Sequence, residues 1–232
     1  MLKKGALAIF VKTPGRSPIK TRLAESIGAK AAEEFYRLSL AAVEEIVGEA
    51  ADAHGNVEPY WAVAEDDAVD DPLWRSFQRV RQGPGELGER LHRVYDELLR
   101  KHSFVLLIGA DSPQLMPESL GQAAERVDLS PLAFILGRAD DGGFYLFGGS
   151  IKLPRKLWIS VPYSVPETSD ELVSHLQPYG EVFDWDPLFD VDTVEELRRL
   201  GEHFDAADAL LPAQNTLADW IAEHLPSKSP AQ

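Results

Sequence analysis

The sequence predicts an α/β domain whose mostly parallel sheet carries helices on both faces, and three observations predict it. Segments of strand character alternate with segments of helical periodicity along the chain. The first strand, Ala6–Val11, is a continuous apolar run, as expected of a strand covered on both sides. The most strongly apolar run, Phe104–Ile108, leads into Gly109-Ala110-Asp111, so a carboxylate stands at the carboxyl end of a buried strand.

The elements follow in order. Phe35, Leu38, Ala42 and Ile46 share one face of a helix expected over much of Ala29–Ala50. Val57–Ala64 reads as a second strand, followed by the acidic run Glu65–Asp71, which is most simply a solvated loop. Ser76–Gln82 is a short strand candidate. Leu87, Leu91, Val94 and Leu98 then recur at helical spacing within Glu86–Lys101. A helix over Pro117–Val127 precedes two strands, Leu132–Gly137 and Phe144–Gly148, around a turn at Asp140-Asp141-Gly142-Gly143. A helix near Thr168–Leu176, a strand near Glu181–Asp186 and a helix over Val194–Phe204 complete the core, with a helical appendage after Asp205. The absence of repeats and linkers predicts one domain over residues 1–225, with a frayed tail at 226–232.

Composition narrows the function. The 232-residue chain has 23 Lys and Arg against 38 Asp and Glu, a net charge of −15, which argues against nucleic acid and anionic membranes as partners. It has no cysteine, so disulfides, thiolate metal sites and cysteine nucleophiles are excluded together. Lys3 and Lys4 precede an apolar run that stops at Lys12 with no small-residue cleavage site, unlike a signal peptide. No apolar stretch is long enough for a bilayer span. A cytoplasmic location is expected.

Four segments could carry chemistry. Lys12, Arg16, Lys20 and Arg22 form a basic island with no acid between them, at the end of the first strand and in the loop after it. In open α/β sheets ligands bind beyond the carboxyl ends of strands, so these residues are either a phosphate site or a solvated loop offsetting nearby acids. The loop is not a Walker motif. Ile19 stands where a glycine should precede the lysine, and Pro14 and Pro18 cannot donate N–H groups. Asp111, in Gly109-Ala110-Asp111-Ser112-Pro113, suits a divalent ion facing a diphosphate, or else caps the following helix or turn, for which Ser112 is the nearer candidate. Asp140-Asp141-Gly142-Gly143 lets a backbone approach a ligand or, on spacing the better reading, makes a hairpin turn, and Asp190-Val191-Asp192-Thr193 offers Thr193 or Asp192 as a helix cap or, more sharply, a second metal carboxylate. The six histidines lack zinc-like spacing, and no nucleophile elbow or intact dinucleotide fingerprint is present.

Taken in order, Phe10-Val11-Lys12-Thr13-Pro14 with Lys20-Thr21-Arg22-Leu23, Gln82 with Gly85-Glu86-Leu87-Gly88-Glu89-Arg90-Leu91, Gly109-Ala110-Asp111-Ser112-Pro113, Asp141-Gly142-Gly143-Phe144-Tyr145, and Asp190-Val191-Asp192-Thr193 with Glu196-Leu197 resemble a bacterial family of small glycosyltransferase-like proteins. That family was long described only as a domain of unknown function, and some members are associated with radical-SAM proteins. The resemblance implies the GT-A fold of nucleotide-diphospho-sugar transferases, a Rossmann-like three-layer domain with a mixed, mostly parallel sheet. It implies a nucleotide-sugar donor, a small-molecule acceptor and Mg²⁺ or Mn²⁺. Carried over, Lys12, Lys20 and Arg22 hold phosphates, Asp111 is the main metal ligand, and Asp192, or less readily Asp190, is the second. Asp141 sits near the sugar or acceptor as a candidate general base. This chain departs from the pattern where Ser112-Pro113 replaces the second acid of an Asp-x-Asp motif, and where Tyr163 stands in a Pro-Trp-Ser-type segment. Glycosyl transfer is the leading expectation. The same residues also resemble guanylyltransferases of phosphorylated small acids, and a non-catalytic nucleotide- or partner-binding role is the third reading.

Overall fold

A computed structural model of the chain describes residues 4–225; the expected tail at 226–232 and Lys3 lie outside the described residues. Strands β1 (Gly5–Val11), β2 (Val57–Val63), β3 (Gln78–Arg81), β4 (Val105–Gly109), β5 (Ala133–Ala139), β6 (Phe144–Gly149) and β7 (Glu181–Leu188) form one sheet in the order β3-β2-β1-β4-β6-β5-β7. β6 runs antiparallel to both of its neighbours, β4 and β5, while the remaining pairings are parallel.

The helices are α1 (Thr21–Ile27), α2 (Ala29–His54), α3 (Leu87–Leu99), α4 (Pro117–Leu129), α5 (Arg155–Ser160), α6 (Thr168–Leu176), α7 (Val194–Asp205) and α8 (Pro212–His224). Alternation along β1 assigns them to layers. Leu7, Ile9 and Val11 point to one face, where they pack with Val43 and Ile46 of α2 and Val127 of α4. Ala6 and Ala8 point to the other, where small side chains admit Val94 and Leu98 of α3 and Trp158 of α5. Each such fully buried branched side chain contributes roughly 1.5–3 kcal/mol. A third cluster joins α1, α7 and α8 to the outer side of α2 through Leu23, Phe35, Leu200, Leu217 and Trp220. The result has the mostly parallel sheet with helices on both faces that the alternation of elements predicts, and the mixed, three-layer form that the resemblance implies.

Several expectations are corrected. Two short helices, α1 and α5, interrupt segments read as loop. Neither Asp111 nor Ser112 caps α4, whose first turn begins after Met116 with Pro117 at its start. Leu87 is 43% exposed rather than part of the buried stripe of α3. The acidic run is not simply solvated: Glu65 accepts hydrogen bonds from Thr13 N (2.8 Å) and Ser17 Oγ, and Asp67 pairs with Arg16 at 3.1 Å. The carboxyl-terminal appendage has a definite task. Gln214 of α8 donates to the carbonyls of Pro113 (2.9 Å) and Leu115 (3.2 Å), and Gln114 donates to that of Phe189 (2.6 Å), so the loop carrying Asp111 is fastened from two sides.

Candidate functional site

The strand order reverses between β1 and β4, and at such a switch point the loops leave in opposite directions and open a crevice. A cavity of about 680 Å³ lies there. Its floor is the carboxyl ends of β1 (Phe10, Val11) and β4 (Leu107–Gly109). Lys12, Lys20 and Tyr36 stand on one side, and the start of α3 and the Tyr163–Thr168 segment on the other.

The best-defined group is an ion cluster built from three loops. Lys20 precedes α1 with φ 47° and ψ 45°, a left-handed conformation that costs a non-glycine residue roughly 1–2 kcal/mol. That backbone aims a side chain only 3% exposed between two carboxylates, with Nζ 2.8 Å from Asp111 Oδ1 and 3.0 Å from Asp192 Oδ1. Burial works against its charge, but the pull of Asp111 and Asp192 and their hydrogen bonds keep its pKa above 10.5. Asp192 is free to face Lys20 because Thr193 caps α7, its hydroxyl accepting from Glu196 N (3.4 Å) while the Glu196 carboxylate accepts from the backbone N–H groups of Asp192 and Thr193. Capping and ion pairing are thus divided between neighbours.

Asp190 lies behind this cluster. Burial pushes its carboxyl up to about 7, with the nearby Asp111 charge adding to the effect and Lys20 and Ser112 opposing it. Ser112 Oγ donates to Asp190 Oδ1 at 3.1 Å.

The loop after β1 is held from below. The Lys12 N–H donates to Tyr36 Oη (3.0 Å), and the Tyr36 hydroxyl donates to the Lys12 carbonyl (3.1 Å). Burial opposes the charge of Glu65, but the hydrogen bonds from Ser17 and Thr13 outweigh it and hold the carboxyl below its ordinary range. The Lys12 side chain itself is exposed and lines the cavity, with Nζ 3.5 Å from the Pro18 carbonyl.

Of the residues singled out in the sequence, the cavity brings together Lys12, Lys20, Asp111, Asp141 and Asp192. It does not include Arg22, which sits exposed in the first turn of α1. Asp141 belongs to the β5–β6 turn, where its Oδ1 accepts from Gly143 N at 2.8 Å. Gly142 there has φ 89°, and a Cβ on it would stand 2.0 Å from the Pro166 carbonyl oxygen, so the turn lies directly on the segment that forms the opposite wall. Gln82 and Arg90, which the sequence named in a motif without a role, also line the cavity, as does Tyr163, the smaller aromatic of the Pro-Trp-Ser-type segment. Gln82 is buried, and its Nε2 donates to the carbonyls of Ala62 (2.8 Å) and Val11 (3.2 Å). Its place in the second motif of the resemblance, at the end of a short strand, was the signal for it.

Asp111 and Asp192 supply hard oxygen donors aimed at one point, which fits Mg²⁺ or Mn²⁺ that completes its shell with phosphate and water. No group of three or more His, Cys, Asp or Glu converges on a metal position among the described residues. The pair is therefore a partial donor set, dependent on what a substrate brings. The cavity lining carries five carboxylates (Glu86, Asp111, Asp141, Asp190, Asp192) against three cations (Lys12, Lys20, Arg90), so a polyphosphate would need added positive charge.

The three layers and the mixed, mostly parallel sheet are the fold of nucleotide-diphospho-sugar transferases. The chain belongs to the family described as "Uncharacterized protein conserved in bacteria (DUF2064)", whose pattern matches residues 49–165. No curated protein matches the sequence. Among solved structures, a candidate nucleotide-diphospho-sugar transferase from Desulfovibrio desulfuricans G20 superposes with TM-score 0.80 at 22% identity, covering 96% of this chain and 99% of that one. A cytidylyltransferase from Leptospira borgpetersenii has TM-score 0.55 at 13% identity over 100% of both chains. A nucleotidyl transferase from Methanothermobacter thermautotroptrophicus has TM-score 0.54 at 14% identity, covering 87% of this chain and 97% of that one. At these identities the likeness establishes the fold. No helix among the described residues is long and apolar enough to cross a membrane.

Proposed function

We propose that this chain is a nucleotide-utilising transferase that joins a nucleotide to a phosphorylated small molecule and releases pyrophosphate. The observation that carries the reading is the meeting of Lys12 and Lys20 with Asp111 and Asp192 at the switch-point cavity. Solved cytidylyl and nucleotidyl transferases share the fold, which adds support.

In such a transfer an acceptor phosphate oxygen attacks the α-phosphorus of a nucleoside triphosphate. One P–O bond forms, and the bond to the departing pyrophosphate breaks. The main demand on the protein is to position the groups and to neutralise the charge that builds on phosphate oxygens. Lys12 and Lys20 are placed to meet those oxygens as point charges. Asp111 and Asp192 would hold Mg²⁺ or Mn²⁺, which supplies further charge neutralisation and polarises a phosphoryl oxygen. A phosphate monoester has its second pKa near 6, so at neutral pH it is already largely the dianion and needs no base. That suits this site, where the only acid proposed as a base, Asp141, is exposed and accepts a hydrogen bond within its own turn.

Glycosyl transfer from a nucleotide sugar is the second reading, favoured by the overlap with the Desulfovibrio desulfuricans structure. In it Asp141 acts as the base that takes a proton from an acceptor hydroxyl.

The test is thermal stabilisation by nucleoside triphosphates and nucleotide sugars with Mg²⁺ or Mn²⁺, on wild type and Asp111→Ala, followed by product analysis. A ligand at about 100 times its dissociation constant stabilises by roughly 2.7 kcal/mol, readily seen as a melting shift. The expected result is metal-dependent stabilisation by one triphosphate, lost in Asp111→Ala, and pyrophosphate release with a phosphorylated acceptor. Stabilisation by a nucleotide sugar alone, with release of a nucleoside diphosphate, transfers the assignment to glycosyl transfer. Binding with no product under either regime overturns both.

A further inference from the structure

The Lys20 ammonium stands at the one point where Asp111 and Asp192 converge. Both of its contacts, 2.8 and 3.0 Å, are ion-pair distances, and the side chain is only 3% exposed while both carboxylates are 43% exposed. A divalent ion binding this pair would either displace the ammonium or sit directly beside it, and like charges that close repel strongly in a partly desolvated site. Without Lys20, two carboxylates would face each other across a cavity that already holds an excess of acids.

We propose that Lys20 is a built-in competitor of the divalent cation, so that metal enters this site only together with phosphate. Phosphate oxygens give the ammonium an alternative anionic partner, and Asp111 and Asp192, released from it, would then be free to hold the metal beside the phosphate. Metal and phosphate then bind with positive coupling, and by linkage each raises the affinity of the other by the same factor. The position of Lys20 fits this role. It ends a loop whose Lys12, Thr13 and Ser17 are held by Tyr36 and Glu65, so the exchange asks for movement of the Lys20 side chain rather than of these anchors. The inference rests on the proposed reading of Asp111 and Asp192 as metal ligands.

The test is Mn²⁺ binding, followed by electron paramagnetic resonance of the free ion, on the full chain without nucleotide. Lys20→Met should bind Mn²⁺ at least about tenfold more tightly than wild type, Lys20→Arg should stay near wild type, and adding Asp111→Asn to Lys20→Met should remove the gain. Equal affinity in wild type and Lys20→Met, or weaker binding in the variant, overturns the proposal. If Lys20→Met does not fold, wild type decides alone. Water-proton relaxation, which separates protein-bound Mn²⁺ from the free Mn²⁺–pyrophosphate complex, should show at least about tenfold tighter retention with inorganic pyrophosphate, and no gain overturns the proposal. Nucleotide binding measured separately by calorimetry distinguishes the failures. If triphosphates bind and react while Mn²⁺ affinity ignores Lys20, only this inference falls. If the Mn²⁺ gain appears while no nucleotide binds, the proposed function falls and this inference stands.

Discussion

Asp190 gives the fold a pH-dependent term whose sign and size follow from its surroundings. Burial, reinforced by the charge of Asp111, raises its pKa from 3.8 to about 7. Between these values the folded chain keeps a proton that the unfolded chain has released. Since the native state then binds more protons, stability falls as pH rises through this window, and the contribution is fully lost above the folded pKa. At about 1.36 kcal/mol per pKa unit, a separation of about three units corresponds to a penalty of ~4 kcal/mol at neutral pH. Asp190→Asn has the shape of the protonated acid and keeps an oxygen to accept from Ser112 Oγ, so it removes the titration with little change in packing.

Urea unfolding of wild type and Asp190→Asn across about pH 3.5 to 8 isolates this one group, because titrations common to both proteins cancel in the difference. The variant should gain on wild type as pH rises, with the steepest change below about pH 7, and the gap should level off above it at several kcal/mol, on the order of 4. A difference that is flat with pH, or that favours wild type increasingly as pH rises, would refute the reasoning. The second outcome would mean that Lys20 and Ser112 hold the carboxylate charged more strongly than burial opposes it.

Two other perturbations probe the walls of the cavity. Gly142→Ala should destabilise the chain by at least about 1–2 kcal/mol in chemical denaturation, from the left-handed backbone alone, with the contact to Pro166 adding to it. A variant as stable as wild type would show that the β5–β6 turn does not rest on that segment. Glu65→Gln keeps an oxygen for Thr13 N but loses the charge, and its amide nitrogen cannot accept from Ser17 Oγ. It should weaken nucleotide binding roughly tenfold through a looser loop, the equivalent of about one charge-assisted hydrogen bond, in a calorimetric titration.

What the sequence made legible was what short-range chemistry determines. The apolar runs of β1 and β4, the stripe of α3 and the turn at Asp140–Gly143 each declare themselves within a few residues, because periodicity and turn chemistry act locally. A cap of α7 at Asp192 or Thr193 is readable for the same reason, and the structure chooses Thr193, whose capping box is complete within the four residues that end at Glu196. The short helices α1 and α5 had no such signal, since neither has a side-chain cap and Lys20 enters α1 through a left-handed backbone that local propensity disfavours.

The site was legible as a list of polar residues at strand ends and illegible as a network. Lys20 meets a carboxylate 172 positions away, and Glu65 fixes a loop 52 positions earlier. The acidic run therefore read as solvated although its first residue is an internal anchor. Likewise Arg22 read together with Lys20 as a phosphate-holding residue from the basic island and its motif, but Lys20 lines the cavity whereas Arg22 stands exposed in the first turn of α1 outside it. The same distinction separates the two roles of the Asp190–Thr193 segment. Capping needs only Thr193 and Glu196 and could be read locally, whereas the pairing of Asp192 depends on where β1, β4 and α1 bring Lys20. Residues whose chemistry is explained by neighbours in sequence build this scaffold, and those whose nearest charge lies far away in sequence, Lys20 and Glu65 foremost, are where substitutions should change ligand binding more than folding.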